Sequence, residues 1–253
     1  MRIKHERCFA PCLVREWGLW RWEKEIVRRW QEINLYTATR GINRFKGLSL
    51  ILQEIDEKYQ KIGGMYELTC FVETSKELSV RAIRKELQSH PCASLQKAVA
   101  WSEAVDKAVA ALPSDCMPPF PFAKEAIAYA SLRANVAVVS SAGRERVEEE
   151  WRRWGVLEFV DAVRGQEDGS KAECLAQFLR EGYAKERIWM CGDSPGDLAA
   201  ARAVGVGFYP ILVGKEQESW TAFPAALDAF MAEKEGDADC RAFWENLRGC
   251  EHG

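Results

Sequence analysis

The sequence predicts an α/β protein in two parts: an all-helical block, then a parallel, Rossmann-like core. Three observations carry this. From about residue 122 to residue 213, apolar runs of strand length alternate with helical stretches, the pattern of βαβ units and a parallel sheet. From about residue 20 to residue 112 the periodic stretches are helical, with no convincing strand among them. Between the two, Pro113, Pro118, Pro119 and Pro121 cannot continue a helix and mark a linker.

Taken in order, residues 8–14 are the first apolar run and a candidate strand, broken by Pro11. Residues 20–30 predict a helix, with Trp20, Ile26, Val27 and Trp30 approximating one apolar face and Arg and Glu on the other. The segment 34–45 is a polar connection rich in hydroxyl, amide and guanidinium groups. Residues 48–59 return to helix through Ile51, Leu52 and Ile55, and Gly63 and Gly64 break the chain. Helical stretches at 79–87 and 94–112 complete the block.

Beyond the prolines, residues 122–134 predict a helix and 135–140 a buried strand. Helix 144–154 and strand 159–163 follow, then helix 171–181, strand 188–191, helix 198–204 and strand 208–213. Residues 220–233 and 239–247 are helical additions. The predicted organisation is a possible first core strand in 1–19, helices over 20–112 and a linker at 113–117. The α/β core then covers 118–216, with a helical extension over 217–253.

Composition narrows the function. A formal charge of -3 argues against a nucleic-acid-binding surface. No run is long and apolar enough to span a bilayer, and the amino-terminal residues make a poor signal peptide. Nine cysteines, an odd count with no Cys-x-x-Cys pair, indicate neither a disulfide framework nor a zinc site, so reduced thiols in a cytoplasm fit best. His5, His90 and His252 are scattered, and none is expected to be a ligand.

The richest stretch is 187–206. An apolar strand ends at Gly192, Asp193-Ser-Pro-Gly-Asp197 forms a tight acidic loop, and an Ala-rich helix follows to Gly205. In a parallel sheet such a loop lies at the carboxyl edge, where ligands bind. Asp193 and Asp197 can face one small volume and suit a hard cation such as Mg²⁺; the plainer reading is that either caps the helix. Ser140 and Ser141 close another apolar strand and lead into a helix, which offers a phosphate-binding corner or an N-cap. Lys171 opens a helix after a strand, where an anion beside it would relieve its unfavourable position; a solvated surface lysine is the plain alternative.

As an ordered set, Val136-Ala-Val-Val-Ser140, Lys171 and Gly192-Asp-Ser-Pro-Gly-Asp197 resemble the second, third and fourth motifs of the haloacid dehalogenase (HAD) superfamily of phosphohydrolases. The resemblance implies a Rossmann-like core with an inserted helical cap and Mg²⁺-dependent phosphatase activity on a small phosphorylated metabolite. It implies that Asp193 ligates the metal with Asp197 in support, and that Ser140, Ser141 and Lys171 hold the phosphoryl group. Arg40, Asn43 and Arg44, beside Thr37 and Thr39, fall where capped members read the rest of the substrate; a solvated connection is the alternative. The first motif of the superfamily, Asp-x-Asp, is not found: no Asp precedes Asp56. The nearest shape is Cys12-Leu-Val-Arg-Glu-Trp-Gly-Leu19, whose Glu16 is the one carboxylate offered as a nucleophile. Either the chain binds a phosphometabolite without turning it over, as an inactive or regulatory member, or its recorded start omits the nucleophile. A nicotinamide or flavin oxidoreductase is disfavoured, because no Gly-x-Gly-x-x-Gly follows a strand.

Overall fold

The computed structural model describes residues 2–113, 115–232 and 240–249. They fall into two compact units, 1–117 and 118–249.

Every described element of the first unit is helical. A continuous helical segment opens it: α1 (Arg2–Lys4), a wider π turn (His5–Phe9) and α2 (Ala10–Trp17), closed by Gly18 in the left-handed conformation. The strand expected at residues 8–14 is therefore a helix. Cys8, Cys12, Leu13 and Trp17 recur at helical spacing and are all buried, and Pro11 stands just past the junction of the π turn with α2. Then come α3 (Glu23–Gln31), a second π turn (Glu32–Tyr36), α4 (Arg44–Lys58), α5 (Met65–Thr74), α6 (Val80–Ser89) and α7 (Ala93–Ala110). The core centres on Trp30 and Trp101, packed edge to face at 5.7 Å with Phe9 and Phe45 beside them. Helix α5 was not expected; Leu68, Phe71 and Val72 carry it at helical spacing.

The second unit alternates as expected: α8 (Ala123–Ser131), β1 (Ala137–Val139), α9 (Arg144–Arg153), β2 (Ala162–Arg164), α10 (Lys171–Arg180), β3 (Trp189–Gly192), α11 (Pro195–Val204) and β4 (Gly207–Pro210). The strands form two separate parallel pairs, β1 with β2 and β3 with β4. Helices α12 (Glu216–Met231) and α13 (Cys240–Gly249) follow. Rather than trailing as an extension, they pack into the unit. Helix α12 lies on α8, and Phe223 and Leu227 join Ala126, Ala130, Tyr209 and Ile211 in one cluster. Helix α13 sets Phe243 against Phe208, and Asn246 bonds both the N–H and the C=O of Val213 at 2.9 and 3.0 Å. No described helix is long and apolar enough to cross a membrane.

Candidate active site

Two strand ends of the second unit carry the candidate residues. At the end of β3, Ser194 caps α11, accepting from the amide of Asp197 at 3.3 Å. The carboxylate of Asp197 turns back into the loop. Its Oδ2 accepts from the amides of Asp193 (3.1 Å) and Ser194 (3.0 Å) and from the Ser194 hydroxyl (2.8 Å). Its Oδ1 accepts from the ammonium of Lys171, which opens α10. Asp197 is 3% exposed, and the lysine side chain 26%. A buried carboxylate needs this set of donors, because removal from water is costly unless its oxygens are bonded. Gly192 makes room for it: a methyl there would lie 2.5 Å from Cγ and Oδ2 of Asp197. The neighbouring Cys191 thiol is pushed well up by burial, with Asp197 and Asp193 adding to the effect.

Lys171 follows the N-cap Ser170, whose amide donates to Glu173 at 2.7 Å, and that bond holds the Glu173 carboxyl below its ordinary range. Its unfavourable place at a helix start is thus offset by Asp197, a carboxylate of the chain itself.

At the end of β1, Ser140 donates its amide to the Arg164 carbonyl of β2 at 2.9 Å and accepts at Oγ from the amide of Ala142 at 3.1 Å. The first amide of α9, at Arg144, donates to Glu167 at 3.1 Å. Sequence reasoning offered this corner to a phosphate; here a carboxylate of the same chain takes one of its amides. Arg144 also pairs with Asp168, whose carboxyl is held down first by the Gly165 amide and then by Arg144. Glu167 and Asp168 were missed because both follow β2, and only the pairing of β1 with β2 brings them to α9. Ser141 is exposed.

The structure therefore joins Lys171, Asp193, Ser194 and Asp197 through direct bonds. No hydrogen bond among the described residues links Ser140 to that group.

The residues offered for substrate contact in the helical unit are engaged within it. Arg40 is buried and donates to the Leu35 carbonyl at 2.6 Å. Asn43 caps α4 by accepting from the Phe45 amide at 2.8 Å and donates to the Leu78 carbonyl at 2.9 Å. Arg44 bonds Asp106 and Ser102 at 2.9 and 3.0 Å. Thr37 and Thr39 bond one another at 2.7 Å. Glu16 lies near the end of α2, its carbonyl accepting from Lys97. Of the three histidines, His5 accepts at Nδ1 from the Trp30 indole at 3.0 Å and His90 pairs with Glu86, while His252 lies outside the described residues.

The acidic loop lies between a parallel strand and a helix, with the lysine of the preceding helix on its buried carboxylate. Residues 42–211, more than half of the chain, match the haloacid dehalogenase-like hydrolase family. The chain belongs to this family. No curated protein and no solved structure matches it.

Members of the family generally use Mg²⁺. In this chain both oxygens of Asp197 are engaged by Lys171 and loop donors. No group of three or more His, Cys, Asp or Glu side chains suited to a metal occurs among the described residues. Asp193 and Asp197 by themselves fall short of the octahedral oxygen set that Mg²⁺ demands. The residues present do not form a complete magnesium centre.

Proposed function

We propose that this family member binds the phosphate of a small phosphorylated metabolite at the carboxyl edge of its α/β unit and hydrolyses phosphate monoesters slowly. The observation that carries this reading is Lys171: its ammonium is fixed by the buried Asp197, which also clamps the loop bearing Asp193. A positioned cation at a strand edge stabilises the charge of a phosphoryl group with little reorganisation. Ser140, with Ser141 beside it, is assigned the second hold on the phosphoryl oxygens, a role that requires Oγ to exchange its bond from Ala142 for one to the ligand.

Phosphoryl transfer through an aspartyl enzyme needs an in-line carboxylate. Glu16 lies near the end of helix α2 and not at a strand end, and is assigned no role, and Asp197 is fully engaged. Electrostatic stabilisation alone leaves only a residual acceleration, hence the low turnover.

By its place in the sequence, ahead of the Ser140 strand, the helical unit is assigned the role of the family's cap. A part for Arg40, Asn43 and Arg44 in reading the substrate requires their present bonds to be exchanged for bonds to it. The described cysteines are not joined in disulfides, which fits a reducing compartment, and we propose a cytoplasmic location on that ground.

The test is inorganic phosphate binding by calorimetry on the whole chain. We expect weak binding that is lost in Lys171→Met; binding unchanged by that substitution would remove the reading.

A further inference from the structure

The acidic turn that follows β2 is docked against the start of α9. The amide of Gln166 donates to the Ala142 carbonyl at 2.9 Å. Asp168 pairs with the Arg144 guanidinium and accepts from the Gly165 amide at 2.7 Å. Gly165 admits no side chain: a methyl there would run into the Arg144 amide nitrogen and would lie 2.5 Å from Oε2 of Glu167. A methyl on Gly143 would lie 2.8 Å from the other oxygen of the same carboxylate. The Glu167 carboxylate is thus received between two glycines, one beyond each strand end, with Oε2 on the Arg144 amide at 3.1 Å.

That seat suits an anion. The first amides of a helix lack an intrahelical acceptor and form the positive end of its dipole. In α9 these are the amides of Arg144, Glu145 and Arg146. Among the described residues only the first of them has a hydrogen-bond partner, and that partner is Glu167. Glu167 is an exposed residue, so its carboxylate has water as an alternative to this bond.

We propose that Glu167 is a tethered competitor for the phosphate corner. The α9 amides receive a phosphoryl group only when this carboxylate leaves them, so Glu167 sets how tightly the ligand is held and helps to expel it. The proposal rests on the phosphate reading of the Ser140 corner and adds its regulation. A phosphoryl group has oxygens enough to accept from all three amides, whereas the carboxylate stands on one and leaves two to water. Repulsion keeps the two anions from sharing the seat. Because Glu167 is part of the chain, it returns to the amide whenever the ligand departs. A helix cap of about 1 kcal/mol favours the bonded carboxylate about fivefold, and apparent phosphate affinity falls by a similar factor.

The experiment is titration of the full chain with inorganic phosphate at constant pH and ionic strength, followed by NMR at the Arg144 amide. It compares wild type, Glu167→Ala, Glu167→Gln and Lys171→Met. Glu145→Gln serves as a charge control, since Glu145 is exposed in the same helical turn but does not hold the Arg144 amide. Glu167→Ala should tighten binding about fivefold and Glu167→Gln by less, because the amide oxygen still accepts while the charge is gone. Glu145→Gln should change affinity less than twofold. Binding that Lys171→Met abolishes but that is equally tight in wild type and Glu167→Ala would overturn the competitor alone and leave the phosphate reading standing. Equal tightening by Glu145→Gln and Glu167→Gln would reduce the effect to net charge and also overturn it. No binding by any of these chains, or binding indifferent to Lys171→Met, would remove the phosphate reading and the proposal with it.

Discussion

Asp197→Ala probes the clamp at its centre. The substitution removes a carboxylate that receives the amides of Asp193 and Ser194, the Ser194 hydroxyl and the ammonium of Lys171. Ser194 is buried, while Asp193 is half-buried and Lys171 partly exposed. A buried donor left unsatisfied costs about 1–3 kcal/mol, and breaking a buried ion pair about 3–5 kcal/mol. Because Lys171 can recover hydration, we discount the pair and expect a total of about 3–4 kcal/mol, a large share of the roughly 5–15 kcal/mol available to a domain. The assay is urea unfolding followed by tryptophan fluorescence, since Trp189 packs among Tyr209, Phe223 and Phe230 near the site. Asp193→Ala, which leaves the donors of the clamp in place, serves as the comparison and should cost less than Asp197→Ala. A loss below about 1 kcal/mol for Asp197→Ala would refute the claim that this carboxylate holds the loop together.

Gly192→Ala should destabilise by a comparable amount, about 2–4 kcal/mol, because its methyl would meet Asp197 at 2.5 Å; an unchanged urea midpoint would contradict this. Mg²⁺ should bind weakly by calorimetry and not at all in Asp193→Asn, and tight binding that survives the substitution would place the metal elsewhere. His5 is lowered to about 4 by burial first, with positive charge from Arg40, Lys4 and Arg44 adding to it. A depressed histidine stabilises the fold fully above its unfolded value near 6.5, and that contribution is lost as pH falls from there toward 4. The loss is roughly 3 kcal/mol and should be absent in His5→Gln. An NMR titration of His5 with a midpoint at or above 6.5 would contradict it.

Much of the α/β unit was legible in the sequence because its signals are local. Apolar runs end in turn residues at Ser140 and Gly192, and Gly205 stops α11 in the left-handed conformation. Residues 8–14 misled because a short apolar run fits a strand or a buried helix equally well by periodicity. The deciding information, that Cys8, Cys12, Leu13 and Trp17 all pack into the core of Trp30 and Trp101, is tertiary. The acidic loop was located, but the division of labour inside it was not. The Ser194–Asp197 capping box is a spacing the sequence carries, but the pairing of Asp197 with Lys171, 26 residues away, is not. Glu167 reached α9 through a strand pairing that no local pattern announces.

The most direct measurement of the functional account is phosphate release from a panel of sugar and nucleotide phosphates, with and without Mg²⁺. It is run on the whole chain beside Lys171→Met, Asp193→Asn and Glu16→Gln. The account predicts slow release that both Lys171→Met and Asp193→Asn abolish and that Glu16→Gln leaves unchanged. Robust release abolished by Glu16→Gln, or release indifferent to Lys171→Met and Asp193→Asn, would contradict it.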